Sequence, residues 1–183
     1  MINAGDRTVT GNYLPDFIWG ITNTFSYKGF SLSVLIQGVE GAEVLNLTRR
    51  HMFNGEGNAN NYVEQTNRWI SEANPGNGMI PRADRNTGSH GNNNRPSSYQ
   101  VEDASYIRLR NATLSYTFPK GSTGNLFSGL RVYITGTNLF TITDYLGYNP
   151  EVNNQSELVN VQGEDYGAYP LARTISLGVN AKF

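Results

Sequence analysis

Apolar and polar residues alternate with a period of two along much of the chain, as expected of strands whose two faces meet different surroundings. From Phe17 onward, Phe17, Trp19, Ile21, Phe25 and Tyr27 share one side, and Gly20, Thr22, Thr24, Ser26 and Lys28 the other; Ile18 and Asn23 are out of step. After Lys28-Gly29 the alternation resumes with Phe30, Leu32, Val34 and Ile36. A two-residue hairpin loop at Lys28-Gly29 sets Tyr27 opposite Phe30, Phe25 opposite Leu32 and Ile21 opposite Ile36, so both apolar sets fall on one face. A third run, Tyr106 to Phe118, changes phase between Leu109 and Ala112, which predicts a β-bulge near Arg110-Asn111. A fourth carries Leu130, Val132, Ile134, Gly136 and Phe140, and a fifth Ile175, Leu177, Val179, Ala181 and Phe183. The predicted class is all-β, with antiparallel strands over about 16–28, 29–38, 105–118, 129–141 and 173–183.

The links between these strands are alternately short and long, the long ones covering about 39–104 and 142–172. Connections of that length are uncommon in a compact domain unless they have a function or no fixed structure. A loose helical spacing of Tyr62, Thr66, Trp69 and Ile70 predicts a short helix within 61–73 of the first long link, and 88–98, with three consecutive Asn, has the composition of a solvated loop.

Composition narrows the classes. In 183 residues only 38% are hydrophobic and 16% charged, and the mean hydropathy is -0.46; Gly, Asn and aromatic residues fill the difference. A net charge of -1 gives no electrostatic footprint for nucleic acid. The absence of Cys excludes thiolate metal sites and disulfides. No apolar run is long enough for a transmembrane helix, but strands of a transmembrane barrel need only about 9–11 alternating residues.

Alternation alone also fits a soluble sheet, so the alternative is a freestanding extracellular β-sandwich that binds glycans. Three features favour the barrel. The polar face is built of small neutral residues, aromatic residues gather at strand ends (Tyr27, Phe30, Tyr116, Phe118, Phe140, Phe183), and loop lengths alternate as between periplasmic turns and outer loops.

The residues Gly11-Asn12-Tyr13-Leu14-Pro15-Asp16-Phe17, Phe25-Ser26-Tyr27-Lys28-Gly29-Phe30, Ala104-Ser105-Tyr106-Ile107-Arg108-Leu109-Arg110-Asn111, Asn138-Leu139-Phe140-Thr141-Ile142-Thr143, Gly147-Tyr148-Asn149-Pro150-Glu151-Val152 and Tyr169-Pro170 occur in an order and spacing that resembles the C-terminal end of the SusC/RagA family of TonB-linked outer-membrane proteins of Bacteroidota. The resemblance implies an integral outer-membrane location and a fragment of a larger, 22-stranded plugged barrel, with the signal peptide, plug and TonB-interacting part outside this chain. It further implies import of oligosaccharides or peptides, a SusD-like lipoprotein over the outer loops, TonB acting through the missing N-terminal part, and surrounding lipid. The barrel-assembly machinery would read a C-terminal signal formed by Ile175, Leu177, Val179, Ala181 and Phe183.

Catalytic chemistry finds little support. His51 and His90 lie among Glu43, Glu56, Glu64 and Asp84 without a metal-ligand spacing, and neither a serine elbow nor a phosphate-cradling glycine loop occurs, so no enzyme, metal or cofactor is expected. Arg49-Arg50-His51 is expected to be a solvated face. For a hydroxyl-rich or peptide ligand, aromatic platforms and fans of polar groups are required, and Tyr62, Trp69, Asn92, Asn93, Asn94, Arg95 and Tyr99 in the first long loop are the candidates. The alternative, and the commoner role for such residues, is to pack that loop onto the barrel or a partner.

Overall fold

A computed structural model describes residues 4–53, 55–57, 60–83, 95–122, 126–152 and 162–183. Its strands are β1 (Phe17–Tyr27), β2 (Phe30–Glu40), β3 (Glu43–Asn46), β4 (Val101–Asp103), β5 (Tyr106–Thr117), β6 (Gly129–Thr143), β7 (Glu164–Asp165) and β8 (Thr174–Lys182), with one short helix, α1 (Leu47–Met52). The chain forms two compact units, a wall unit of Pro15–Ala42, Ala104–Asp144 and Pro170–Phe183, and a loop unit of Met1–Leu14, Glu43–Asp103 and Tyr145–Tyr169.

In the wall unit five strands form one antiparallel sheet in the order β1-β2-β5-β6-β8. The hairpin has the expected register, with Tyr27 opposite Phe30, Phe25 opposite Leu32 and Ile21 opposite Ile36. Lys28 (φ 45°) and Gly29 (φ 89°) both take left-handed backbone, as a tight hairpin turn that follows the strand twist requires. Gly suits that region, whereas Lys pays about 1 kcal/mol for it.

The phase break in β5 is a bulge. Asn111 pairs with Leu35 and Leu109 with Ile36, leaving Arg110 without a partner on β2. On the other side Asn138 and Leu139 of β6 face that single residue; Asn138 is left-handed (φ 53°), and its Oδ1 accepts from Arg110 Nη1 at 3.2 Å. The bulge returns Leu114 and Tyr116 to the face that Leu109 occupies beyond it.

Register carries the two-faced pattern across the whole sheet. One row reads Tyr27, Phe30, Tyr116, Val132, Val179 and the next Phe25, Leu32, Leu114, Ile134, Leu177. On the opposite face the rows read Ser26, Ser31, Ser115, Tyr133, Gly178 and Thr24, Ser33, Thr113, Thr135, Ser176. Hydroxyls on that face bond each other, Thr113 to Thr135 at 2.9 Å and Thr24 to Ser33 at 3.3 Å. Two glycines accommodate large rings from the neighbouring strand: a Cβ on Gly38 would lie 2.2 Å from the Trp19 ring, and one on Gly178 2.2 Å from Tyr133.

The apolar face is open, with Phe25 62% and Leu177 82% exposed. Each such side chain stands to gain roughly 1–2 kcal/mol on leaving water. Strands of 11 residues, at about 3.3 Å per residue and a tilt near 40°, rise roughly 28 Å, close to the apolar band of about 25 Å on outer-membrane barrels. No helix among the described residues is long and apolar enough to cross a membrane.

The described parts of the two long links, 39–104 and 142–172, carry secondary structure of their own. They contain a small sheet of order β4-β3-β7, in which β3 pairs antiparallel with β4 and parallel with β7. Strands of two to four residues have no visible period, and they are joined by pairs far apart in sequence, so the pattern could not announce them. Val44, Ile80 and Tyr145 are the loop unit's buried apolar side chains among the described residues. The helix expected within 61–73 shrinks to one 3-10 turn, Val63–Asn67, because Arg68 returns to extended backbone and Trp69 N–H bonds the Ile80 carbonyl at 3.0 Å. The true helix is α1, where Asn46 Oδ1 accepts from Arg49 N–H at 2.9 Å as its N-cap.

Candidate functional site

The loop unit holds a cavity of about 250 Å³ lined in part by Asn46, Arg49, Phe53, Tyr62, Glu102 and Asp165. Its lining includes a hydrogen-bonded network of charged groups, in which the buried Arg49 Nε has no hydrogen-bond partner among the described residues. Arg49 Nη1 donates to Glu102 Oε1 at 3.1 Å, with side-chain exposures of 19% and 8%. Glu102 also accepts from Asn46 Nδ2 at 3.2 Å through Oε1 and from Leu146 N–H at 3.2 Å through Oε2. The Arg49 guanidinium lies over the rings of Tyr99 (4.5 Å) and Phe53 (5.4 Å). Beside it, the Tyr145 hydroxyl donates to Asp165 Oδ2 at 2.6 Å, and Ala168 N–H donates to Asp165 Oδ1 at 2.9 Å. Burial, then the bond to Asp165 and the negative charges of Asp165 and Glu102, push the Tyr145 phenol well above its ordinary range.

The expectation that Arg49-Arg50-His51 forms a solvated face is corrected at Arg49. Its partner Glu102 is 53 residues away in sequence, and the pair is taken out of water by the aromatic rings above it. His51 meets the Tyr166 ring edge-on at 5.3 Å.

Of the candidate contact residues, Tyr62 lines the cavity and its ring packs on Phe53 at 4.8 Å. Tyr99 is half-buried beneath Arg49, with its hydroxyl buried and without a hydrogen-bond partner among the described residues. Arg95 lines a second, wider cleft with Tyr13, Glu43, Ser97 and Ser98. Trp69 is half-buried in the 69–80 turn, held by its backbone bond to Ile80. Asn92, Asn93 and Asn94, together with His90 and Asp84, lie outside the described residues. The structure therefore gathers Tyr62 and Tyr99 around one Arg, puts Arg95 in another cleft and leaves Trp69 in a turn. Sequence reasoning missed Glu102, Tyr145 and Asp165, and the one available signal was Asn46 three residues before Arg49, a capping spacing.

In the wall unit, Ile175, Leu177, Val179 and Ala181 occupy the apolar face of β8, and the Phe183 ring packs on Phe127 at 5.3 Å. Arg108 and Arg131 stand on the polar face. Arg108 Nε donates to Thr141 Oγ1 at 2.9 Å, and Arg131 Nη2 donates to Ser115 Oγ at 3.0 Å.

A sheet with one wet and one greasy face is shared by many proteins, and comparison with known ones separates them. No protein-family model matches the chain. TonB-dependent receptor P3 of Formosa agariphila is 38% identical over 191 residues, covering 100% of this chain and 18% of that receptor. SusC of Bacteroides thetaiotaomicron, also a TonB-dependent receptor, is 27% identical over 184 residues, again across 100% of this chain. The chain is homologous to the TonB-dependent receptors. A solved structure of the RagAB peptide transporter superimposes over 100% of this chain and 19% of its own, with a TM-score of 0.81 and 25% identity. The five-stranded sheet thus corresponds to part of a larger receptor barrel and not to one half of a sandwich. The chain spans less than a fifth of the length of the relatives it matches. Those relatives are named as receptors and transporters, not as enzymes.

Proposed function

We propose that the chain forms part of the wall and outer loops of an integral outer-membrane, TonB-dependent importer of oligosaccharides, with peptides as the other substrate class, working with a SusD-like lipoprotein. One observation carries the reading: the apolar rows run unbroken across all five strands and lie open, so that face is made for lipid and the hydroxyl face for the lumen. The long links β2–β5 and β6–β8 then sit outside the cell, where Tyr62 and Arg95 are available to ligand or lipoprotein, and the short turns face the periplasm. Trp69 belongs to the same outer region. Ile175, Leu177, Val179, Ala181 and Phe183 present the alternating, aromatic-ended strand that barrel-assembly machinery would read. TonB would act through the remainder of the longer protein.

The test uses the full-length protein in its native host. It should fractionate with the outer membrane and co-purify with a lipoprotein, and its deletion should abolish uptake of a labelled oligosaccharide or peptide that wild-type cells take up. Loss of TonB should have the same effect. Recovery in the soluble fraction, or uptake unaffected by either deletion, would contradict the proposal.

A further inference from the structure

The cavity of about 250 Å³ is built wholly within the loop unit, from segments distant in sequence. Helix α1 contributes Thr48 and Arg49, and the start of the 3-10 turn Val63–Asn67 contributes Tyr62 and Glu64. Glu102 comes from β4, Tyr148 from the segment after β6, and Asp165 from β7.

The polar groups of the lining fall into two sets. Glu102 and Asp165 are engaged: Glu102 holds Arg49, Asn46 and Leu146 N–H, and Asp165 holds the Tyr145 hydroxyl and Ala168 N–H. Glu64 and Thr48 are not. Neither that carboxylate nor that hydroxyl has a hydrogen-bond partner among the described residues. Beside them the rings of Tyr62 and Tyr148 are exposed. Open aromatic faces next to unpaired acceptors suit a ligand with an apolar C–H face and many hydroxyls, because the ring takes the first and the acceptors take the second.

Charge and size narrow the ligand further. Among the described residues of the lining, Arg49 is the one cation against the carboxylates of Glu64, Glu102 and Asp165. That excess of negative charge disfavours a carboxylated or sulfated sugar. A basic side chain is disfavoured on other grounds. The buried carboxylates already hold Arg49 or neutral donors, and the exposed Glu64 alone would be left to pair with it, an ion pair worth little in water. The volume is below the roughly 300–1000 Å³ of sites that enclose drug-sized ligands, so it accommodates one ring of a longer chain.

We infer that this cavity is a subsite for a single neutral sugar ring of an oligosaccharide, held against Tyr62 and Tyr148 and bonded through its hydroxyls to Glu64 and Thr48. The inference rests on the importer reading, which puts the loop unit outside the cell, where saccharide arrives.

The test measures binding of the purified full-length receptor to immobilised probes. Glucan, mannan, galactan and xylan oligomers are the neutral ones, oligogalacturonate and sulfated galactan oligomers the acidic ones, and pentalysine the basic one. At least one neutral saccharide should bind more tightly than every acidic or basic probe, with an affinity that salt changes little. Tyr148→Ala should lose roughly tenfold in that affinity, while Tyr148→Phe keeps most of it. Tyr169→Ala removes an exposed ring of the same unit that is not part of the lining, and should change nothing. Failure of every neutral probe to bind, tighter binding of an acidic probe or of pentalysine, or neutral binding unchanged in Tyr148→Ala would overturn the inference. Uptake by cells judges the importer reading separately. TonB-dependent uptake alongside any of those binding results removes the subsite and leaves the importer; saccharide binding that Tyr148→Ala weakens, without uptake by wild-type cells, removes the importer alone.

Discussion

Tyr145 concentrates the chemistry of the loop unit in one hydroxyl. Its O–H donates to a carboxylate that is itself buried, so ionisation would set a phenolate against Asp165 with Glu102 close by. Because the folded state holds this phenol above its unfolded value, its contribution to stability is complete below about pH 10, where phenols are neutral in both states, and declines as pH climbs beyond that. Tyrosinate absorbance of the full-length protein and of Tyr145→Phe should therefore coincide through the range in which exposed phenols ionise. They should separate only when the loop region unfolds; a difference at about pH 10 with structure intact would mean the hydroxyl is free. Asp165 would lose a donor in that variant while keeping Ala168 N–H, so the region should be weakened by about 1 kcal/mol.

On the scale of single elements, β8 separates the two environments residue by residue. In the assembled barrel Val179→Arg puts a guanidinium among lipid tails and should cost roughly 2–4 kcal/mol, whereas Asn180→Arg, on the polar face, should cost little. Equilibrium unfolding of the two variants in lipid vesicles measures the difference, and equal tolerance would speak against a lipid-facing wall. The same period of two is why the large strands were legible from sequence to within a residue or two at most ends. The hairpin register followed from a two-residue turn, and the bulge from a phase break between Leu109 and Ala112. The small sheet was not legible, because β3 finds one partner, β7, more than a hundred residues away and neither is long enough to alternate. Arg49 misled for a related reason: beside Arg50 and His51 it reads as solvated, and only the fold brings Glu102, Phe53 and Tyr99 around it. Tyr62 and Tyr99 were found as aromatic residues of a long loop, but nothing local distinguished the one that lines a cavity from the one that supports Arg49.

At the scale of the whole chain, a five-stranded sheet that corresponds to part of a larger barrel is joined in sequence to a loop unit. The sheet ends in β1 and β8, neither of which has a second partner strand among the described residues, and its homologues supply the larger barrel to which such edges belong. That membership explains a feature that makes poor sense in water, the open apolar rows. The absence of Cys from the chain makes the orientation of this wall directly measurable. Single cysteines placed in turn at 175 through 180 of the full-length, membrane-inserted protein, in a cysteine-free background, should react with a water-soluble thiol reagent at 176, 178 and 180 and be shielded from it at 175, 177 and 179. A lipid-dissolved quencher should reach labels at those shielded positions. Uniform reactivity along β8, or the opposite phase, would contradict the account.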